Sequence, residues 1–324
     1  MNAPSSPSSV ASDVPLVLVL LPVYNGASYL AEQVDSILRQ EGVHALILCR
    51  DDGSTDESVR VLDDLRTRWP GRIEPVTDGL GNLGASGNFS RLMHLALDFT
   101  APEPWHGPVR YVALSDQDDR WHADKLRSCM DALRRLEQDR PGRPALVHSD
   151  LRVIADDGRE IAPSMARYQG LQVNRPSLAA QALSNTLTGC TSLMNRELLA
   201  MGLPVPPEAI MHDWWLSLVA SALGSRTYLD RALIDYRQHE RNAIGAKAKD
   251  DNPREKRLLK RLAGFFDQRH RQIFGLNARQ AGAFLRRYRS RLSLGQTMTL
   301  RCVQLLAWPI PPMQRSIFLI LRRL

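Results

Sequence analysis

The apolar positions of the first third of the chain fall into short aliphatic runs separated by amphipathic segments. Leu16–Leu21 is a continuous aliphatic run, too short for a helix and closed by Pro22, so it predicts a strand buried on both faces. Ser28–Arg39 puts Leu30, Val34, Ile37 and Leu38 at helical spacing. Ala45–Cys49 repeats the strand pattern and Glu57–Arg68 the helical one, with Ser54 or Thr55 available as its cap. A helix over Phe89–Phe99, an apolar strand at Tyr111–Leu114 and a helical pattern from near His122 continue the series. Strand and helix in alternation predict a doubly wound α/β sheet, in which ligands bind outside the carboxyl ends of the strands. Each predicted strand ends in a polar loop at that place.

The end of Tyr111–Leu114 is the most informative, because it runs into Asp116, Asp118 and Asp119. Strand alternation would point Asp116 and Asp118 to one side and Gln117 to the other. Two hard oxygen ligands side by side suit Mg²⁺ or Mn²⁺. The alternative is a solvated turn in which Asp119 caps the next helix. In Arg50–Asp56, one of Asp51 and Asp52 is expected to face the crevice, where a carboxylate accepts from a pyrimidine N3–H or from ribose hydroxyls. A capped turn is the competing reading. Gly81–Asn88 is glycine-rich and opens a helix, so its backbone could offer N–H groups to a phosphate.

In the second half, Ala145–His148 predicts a strand, continued by Leu151–Ile154 into a hairpin through Asp156-Asp157-Gly158. Thr186–Asn195 is small and polar before it becomes apolar. Met211–Leu216 opens a helix with Trp215, Leu218, Val219 and Ala222 on one apolar face and Asp213 at the amino end. Asp213 could be only a cap, and Trp214 or Trp215 could form a sugar platform or simply fill the core. Ala232–Gly245 begins as an apolar strand and becomes a polar loop containing His239.

Pro22–Asn25, Asp51–Asp56, Asn82–Asn88 and Asp116–Asp119 occur in the order and spacing of family 2 glycosyltransferases with the GT-A fold, and the resemblance covers roughly Pro15 to Gly245. Tyr236–His239, with Asn242 and Gly245, resembles the rhamnosyltransferase-like branch. The resemblance implies a Rossmann-like, mostly parallel sheet flanked by helices. It implies that Pro22, Tyr24, Asn25, Asp51, Asp52, Asn82, Gly84, Asn88, Asp116, Gln117 and Arg237 surround a nucleotide-sugar. Asp116 and Asp118 would hold Mg²⁺ or Mn²⁺, with His239 as a further ligand, and Arg237 would pair with phosphate oxygens. Thr188, Gly189, Trp214 and Trp215 would face the acceptor. Asp213 matches the family's catalytic base, although His212 stands where an acid is common. The implied reaction is inverting transfer of a sugar, for this branch L-rhamnose from a dTDP-sugar donor, to a lipid-linked or cell-surface glycan acceptor. A UDP-sugar donor is one alternative. A sugar-nucleotide pyrophosphorylase is another, but it would need a basic glycine-rich loop after the first strand, which Pro22–Gly26 is not.

Composition adds the context. The chain has 324 residues, 44% of them hydrophobic, enough for one large domain or two smaller ones. Cys49, Cys129, Cys190 and Cys302 are scattered without a CxxC pair, which fits a reducing cytosol better than zinc or a disulfide framework. Residues 1–13 read as a disordered tail, 14–250 as the catalytic domain and 251–324 as a basic helical region. The boundary is the polar cluster Lys249–Pro253. From Arg254 onward, sixteen Lys and Arg face only Glu255 and Asp267, so of the net charge of +7 the preceding residues hold a negative balance. That acidic body argues against nucleic acid as a partner. In the tail, Phe265, Phe266, Ile273, Phe274, Phe284, Leu285, Leu305, Leu306, Trp308 and Ile317–Leu321 lie among the charges, a composition suited to helices in an anionic membrane surface. Pro309, Pro311 and Pro312 interrupt the last apolar region, so it should not span. The expected location is the cytoplasmic face of the cell membrane. Packing of these helices on the body, or pairing into an oligomer, is the competing use.

Overall fold

The computed structural model describes residues 14–239 and 268–323. The expected tail at 1–13 and the boundary cluster at 249–253 lie outside the described residues, as do Asn242, Gly245, Phe265 and Phe266.

Among the described residues, nine strands form one mixed sheet: β1 (Leu16–Val23), β2 (His44–Asp51), β3 (Ile73–Pro75), β4 (Tyr111–Leu114), β5 (Arg120–Trp121), β6 (Ala145–Ala155), β7 (Glu160–Ala162), β8 (Ser192–Asn195) and β9 (Ser225–Gln238). Their order is β3-β2-β1-β4-β8-β6-β9-β5, with β7 on β6. The wing β3-β2-β1-β4 is parallel, β8 runs antiparallel to both its neighbours, and β9 is parallel to β6 and antiparallel to β5. Between them lie α1 (Ala27–Leu38), α2 (Ser58–Arg68), α3 (Gly84–Asp98), α4 (Lys125–Asp139), α5 (Met165–Gln169), α6 (Leu178–Leu183), α7 (Arg196–Gly202) and α8 (His212–Leu223).

The aliphatic run of β1 is divided by the pleat. Leu16, Leu18 and Leu20 face a core with Phe89 and Leu92 of α3, Leu198 of α7 and Trp215 of α8. Val17, Val19 and Leu21 face a second core with Leu30, Val34 and Ile37 of α1, Leu62 of α2 and Leu126 of α4. A strand covered on both sides has no polar face, and this is why it reads as an unbroken apolar run. Register then aligns the strand ends: Val23 sits beside Asp51, and Leu20 beside Leu114. Tyr24, Asp51–Asp52 and Asp116–Asp119 therefore emerge along one edge of the sheet.

Four local expectations are revised. Neither Ser54 nor Thr55 caps α2; the Asp56 carboxylate accepts from the Ser58 N–H instead (3.0 Å). Helix α3 begins at Gly84, not Phe89, and α4 begins at Lys125, beyond His122. Ala145–Ala155 is one strand rather than two, with its register against β9 shifting around Asp150; the hairpin to β7 forms as expected, and Gly158 takes the positive φ its turn requires.

The basic region continues as α9 (Gln268–Tyr288), α10 (Leu294–Leu305) and α11 (Pro311–Leu321), with the proline-marked break between the last two. These helices are docked rather than splayed. Phe274, Phe284, Leu300, Val303, Leu306 and Leu321 are buried in the same core as Trp215. Asn277 donates to the Leu183 carbonyl (3.1 Å) and the Tyr288 hydroxyl to that of Met201 (2.7 Å). The expectation that Phe274, Phe284 and Leu306 face lipid is thus corrected, because the body's own apolar face covers them.

Candidate active site

The loops after β1 and β2 are tied together before any ligand is considered. The Asn25 N–H donates to Ser54 Oγ (2.9 Å), and Asn25 Oδ1 accepts from the Thr55 N–H (2.8 Å). Asp51 closes its own turn, accepting from the Gly53 and Ser54 N–H groups at 3.1 and 3.0 Å. Asp52 was expected at the crevice, but it is buried. Its two oxygens accept from the Leu83 and Gly84 N–H groups, both at 2.8 Å, and it pairs with Arg50 (2.5 Å). A carboxylate at a helix amino terminus satisfies orphan donors and meets the positive end of the dipole. Asp52 therefore fixes the glycine-rich loop, and Asn82 adds a bond to the Asp52 carbonyl (2.9 Å). Asn88 is corrected in the same sense. It is 1% exposed and its amide donates to the Arg50 carbonyl (3.1 Å), so it supports the loop from inside. Pro22 is half-buried while Tyr24 and Gly84 stay exposed, leaving the Tyr24 ring open to a base.

Gln117 also has a partner within the protein. Its Oε1 accepts from the Tyr24 N–H (2.8 Å) and its Nε2 donates to the Tyr24 carbonyl (2.9 Å), so one amide reads both polar groups of that residue. It latches the carboxylate loop to the β1 loop instead of facing a ligand with a free amide.

The carboxylates of that loop divide into two groups. The strand ends at Leu114, so strict alternation does not reach them. Asp118 Oδ2 lies 2.9 Å from His239 Nε2 at the end of β9. Asp116 instead groups with Asp119 and Cys190, each with a ligand atom within 4.8 Å of the others. The expected trio of Asp116, Asp118 and His239 is therefore split, though Asp118 remains close enough for its charge to raise Asp116. Burial, then Asp118 and to a lesser degree Asp213, push the Asp116 carboxyl up to about 7. Burial raises Asp118 too, against the hydrogen bond from His239. Asp119 is fully buried, is not a helix cap, and is raised well above the usual range by burial and by its two neighbours.

Two places could hold a cation. The Asp116–Asp119–Cys190 group lies close to the ammonium of Lys125, which is fully buried 3.4 Å from the Trp121 ring centroid and has no hydrogen-bond acceptor among the described residues. A divalent ion there would face a fixed positive charge in a low-dielectric interior. Asp118 and His239 offer oxygen and nitrogen donors converging at hydrogen-bond distance, a geometry in which an ion can replace a proton. The donor chemistry fits Mg²⁺ or Mn²⁺ there.

Arg237 is corrected. It is 5% exposed, donates to Glu32 Oε2 (2.6 Å) and to the Asp156 carbonyl (2.8 Å), and reaches the Asp118 carbonyl with Nε (3.3 Å). A buried guanidinium requires a carboxylate partner, and α1 supplies Glu32. Arg237 consequently braces the carboxylate loop from behind.

Asp213 stands in the first turn of α8, near enough to Asp116 for its charge to act there. It is buried, accepts from the Trp214 N–H (2.6 Å) and from Asn185 Nδ2 (3.3 Å), and packs against Gly189, where a Cβ would lie 3.5 Å from its own. Burial lifts its carboxyl to about 6, with those hydrogen bonds opposing the rise. Thr188 and Gly189 are half-buried, and Gly189 lies against this group. The tryptophans are corrected. Trp214 donates to the Gln181 carbonyl (2.6 Å), and Trp215, 0% exposed, donates to that of Gly202 (2.8 Å) and packs edge-on against Phe284. Both indole N–H groups point inward because each finds a main-chain acceptor there, so neither ring is a sugar platform. His212 stacks on Phe89 and is held at about 4 by burial, a neutral filler beside Asp213.

Residues 18–199 match the family model described as glycosyl transferase family 2. The chain belongs to that family. Among its relatives, the dTDP-rhamnosyl transferase RfbG of Shigella flexneri is 27% identical over 245 residues, 70% of this chain and 74% of that protein. The putative teichuronic acid biosynthesis glycosyltransferase TuaG of Bacillus subtilis is 27% identical over 226 residues, 69% and 79% of the two chains. Two solved structures share the fold. S. aureus TarS 1-349 in complex with UDP-GlcNAc gives a TM-score of 0.52 at 14% identity over 95% of this chain and 91% of that one. The mannosyltransferase PcManGT of Pyrobaculum calidifontis, in complex with GDP-Man and Mn²⁺, gives 0.55 at 16% over 98% and 77%. The architecture is that of GT-A glycosyltransferases, a mixed sheet flanked by helices with further helices at the carboxyl end.

This family 2 glycosyltransferase contains site residues that pattern alone missed. Cys190 was legible only as part of a small-residue segment, yet its thiol lies among Asp116 and Asp119, and burial with their charges raises it well above its usual value. Tyr29 and Glu32 stand on the polar side of α1 with nothing nearby in sequence to mark them; Glu32 finds Arg237 205 residues away. Asn185, which donates to Asp213, sits in a loop without any motif.

Proposed function

We propose that this glycosyltransferase inverts configuration, moving a sugar from a nucleoside diphosphate donor to a glycan hydroxyl, with L-rhamnose from dTDP-L-rhamnose as the donor. The observation that carries the reaction is Asp213: a buried carboxyl lifted to about 6, beside the Thr188–Gly189 segment and near enough for its charge to act on Asp116. A carboxylate with that value accepts a proton efficiently near neutral pH. Asp213 takes the acceptor's hydroxyl proton as the oxygen attacks the anomeric carbon from the face opposite the diphosphate, a single displacement with no covalent enzyme intermediate. Tyr24 and the Asp51–Asp52 and Asn82–Gly84 loops seat the base and ribose, and Asp116 stands close enough to Asp213 to feel its charge. Asp118 and His239 would hold Mg²⁺ or Mn²⁺, which would supply positive charge to offset that on the leaving diphosphate. The rhamnosyl assignment rests on the Tyr236–His239 segment and on the activity for which the Shigella relative is named.

The acceptor in this proposal is a lipid-linked or surface glycan, reached from the cytoplasmic face of a membrane. Among the described residues no helix is long and apolar enough to cross one. Support comes from the outer side of α10 and α11, where Met298, Trp308, Ile310, Leu319 and Ile320 are exposed near Arg301, Arg315, Arg322 and Arg323. Apolar side chains among arginines match an anionic interface in both hydrophobicity and charge.

The deciding experiment is a panel of dTDP-, UDP- and GDP-sugars scored for diphosphate release with Mg²⁺, Mn²⁺ or a chelator. Release from dTDP-L-rhamnose, abolished by the chelator, is expected. Preference for a UDP-sugar would overturn the donor, and chelator-resistant turnover would remove the ion.

A further inference from the structure

We propose that Tyr29 is the positioning residue that fixes the His239 imidazole for the divalent ion, which rests on the reading above that His239 is a ligand. The two rings stack with centroids 4.9 Å apart and planes at 17°, while His239 Nε2 points to Asp118 Oδ2 at 2.9 Å. A histidine that binds a metal must hold its ring plane, and the groups that set this plane govern affinity by about 10–100-fold. His239 is the last described residue after β9, one position past the end of ladder pairing, so the strand alone does not orient it.

Tyr29 is itself fixed on more than one side. Its hydroxyl donates to Asp156 Oδ1 (2.6 Å) in the turn between β6 and β7. The Arg237 guanidinium lies 5.2 Å from its ring centroid, held there by Glu32 and by the Asp156 carbonyl. Three separated parts of the chain thus converge on one ring: α1, the β6–β7 turn and the end of β9. A metal-bound imidazole gains positive character, and the face of a phenol ring attracts positive charge. The stack therefore favours the loaded state of His239 beyond simply confining it.

The probe is Mn²⁺ alone, its affinity for the full-length protein read by electron paramagnetic resonance. Tyr29→Leu is expected to weaken Mn²⁺ about 10-fold, and Tyr29→Phe, which keeps the ring but frees it from Asp156, by a smaller factor. His239→Ala is expected to lose at least as much as Tyr29→Leu, and in that background Tyr29→Leu should cost nothing further. An equal loss in the His239→Ala background would show that Tyr29 acts elsewhere and overturn the proposal. So would unchanged affinity in Tyr29→Leu while His239→Ala is impaired, and in that case the ligand reading survives. No effect of His239→Ala would remove the ligand reading and this proposal together. If Tyr29→Leu does not fold, Tyr29→Phe decides: a several-fold loss supports the role and none overturns it.

Discussion

Burial of Asp213 sets both its chemistry and its cost. With the carboxyl raised to about 6, transfer should fall as pH drops through that value, and Asp213→Asn should keep donor binding while losing on the order of 10²-fold or more in turnover. The linkage runs opposite to that of a paired acid. The unfolded chain ionises first as pH rises from about 4, so folding stability declines between there and about 6 and stays lower above. Asp213→Asn should therefore be more stable than wild type by about 3 kcal/mol at pH 7.5 and match it near pH 4. Thermal unfolding at the two pH values checks this, and a variant destabilised at pH 7.5 would recast Asp213 as a structural cap. The places of single residues were legible in the sequence where a pattern marked them, as with Asp118 after β4, Asp213 in the first turn of α8 and His239 just past β9. They were not where the partner is remote. Nothing in the spacing of Tyr29, Glu32 or Cys190 points to β9 or to the carboxylate loop, and nothing in Trp214 or Trp215 tells that a main-chain carbonyl waits inside for each indole.

The elements that read correctly are those whose burial leaves a mark on composition. The double-sided strands β1 and β2 appear as unbroken aliphatic runs, and α1 as a clean amphipathic stripe. The start of α3 does not, because Gly84-Ala-Ser-Gly has no apolar period; its position is set by Asp52 accepting from the Leu83 and Gly84 N–H groups. The junction of β1 and α1 offers a test at this scale. Gly26 has an ordinary backbone, but a Cβ there would overlap the Gln117 amide that holds Tyr24. Gly26→Ala should displace that latch and raise the donor KM several-fold with kcat largely kept, since the latch joins the β1 and carboxylate loops while Asp213 stands on α8. Steady-state kinetics separate the two, and a fall in kcat at unchanged KM would place the latch in the chemical step instead.

For the molecule as a whole, the docked tail changes how membrane attachment should be tested. Removing everything from Arg254 would uncover the core around Trp215 and Phe284, so loss of binding would be ambiguous. Substituting exposed side chains avoids this. Trp308→Ser with Ile320→Ser should leave thermal unfolding within about 0.5 kcal/mol while reducing co-sedimentation of the full chain with anionic vesicles. Equal sedimentation of both proteins would remove this surface as the contact, and a change of oligomeric state in the variant would assign it to a second copy. The division of labour along the chain has one more consequence, which concerns synthesis. The nucleotide loops all precede residue 199, whereas Asp213, Arg237 and His239 come later, the last two on the strand that closes the sheet against β6 and β5. Domains fold as they emerge from the ribosome, amino end first. Under the proposed assignment, a nascent chain can shape its nucleotide cradle early yet lacks the base until α8 and the complete ion grip until the end of β9 are made, so an unfinished copy cannot waste activated sugar on water.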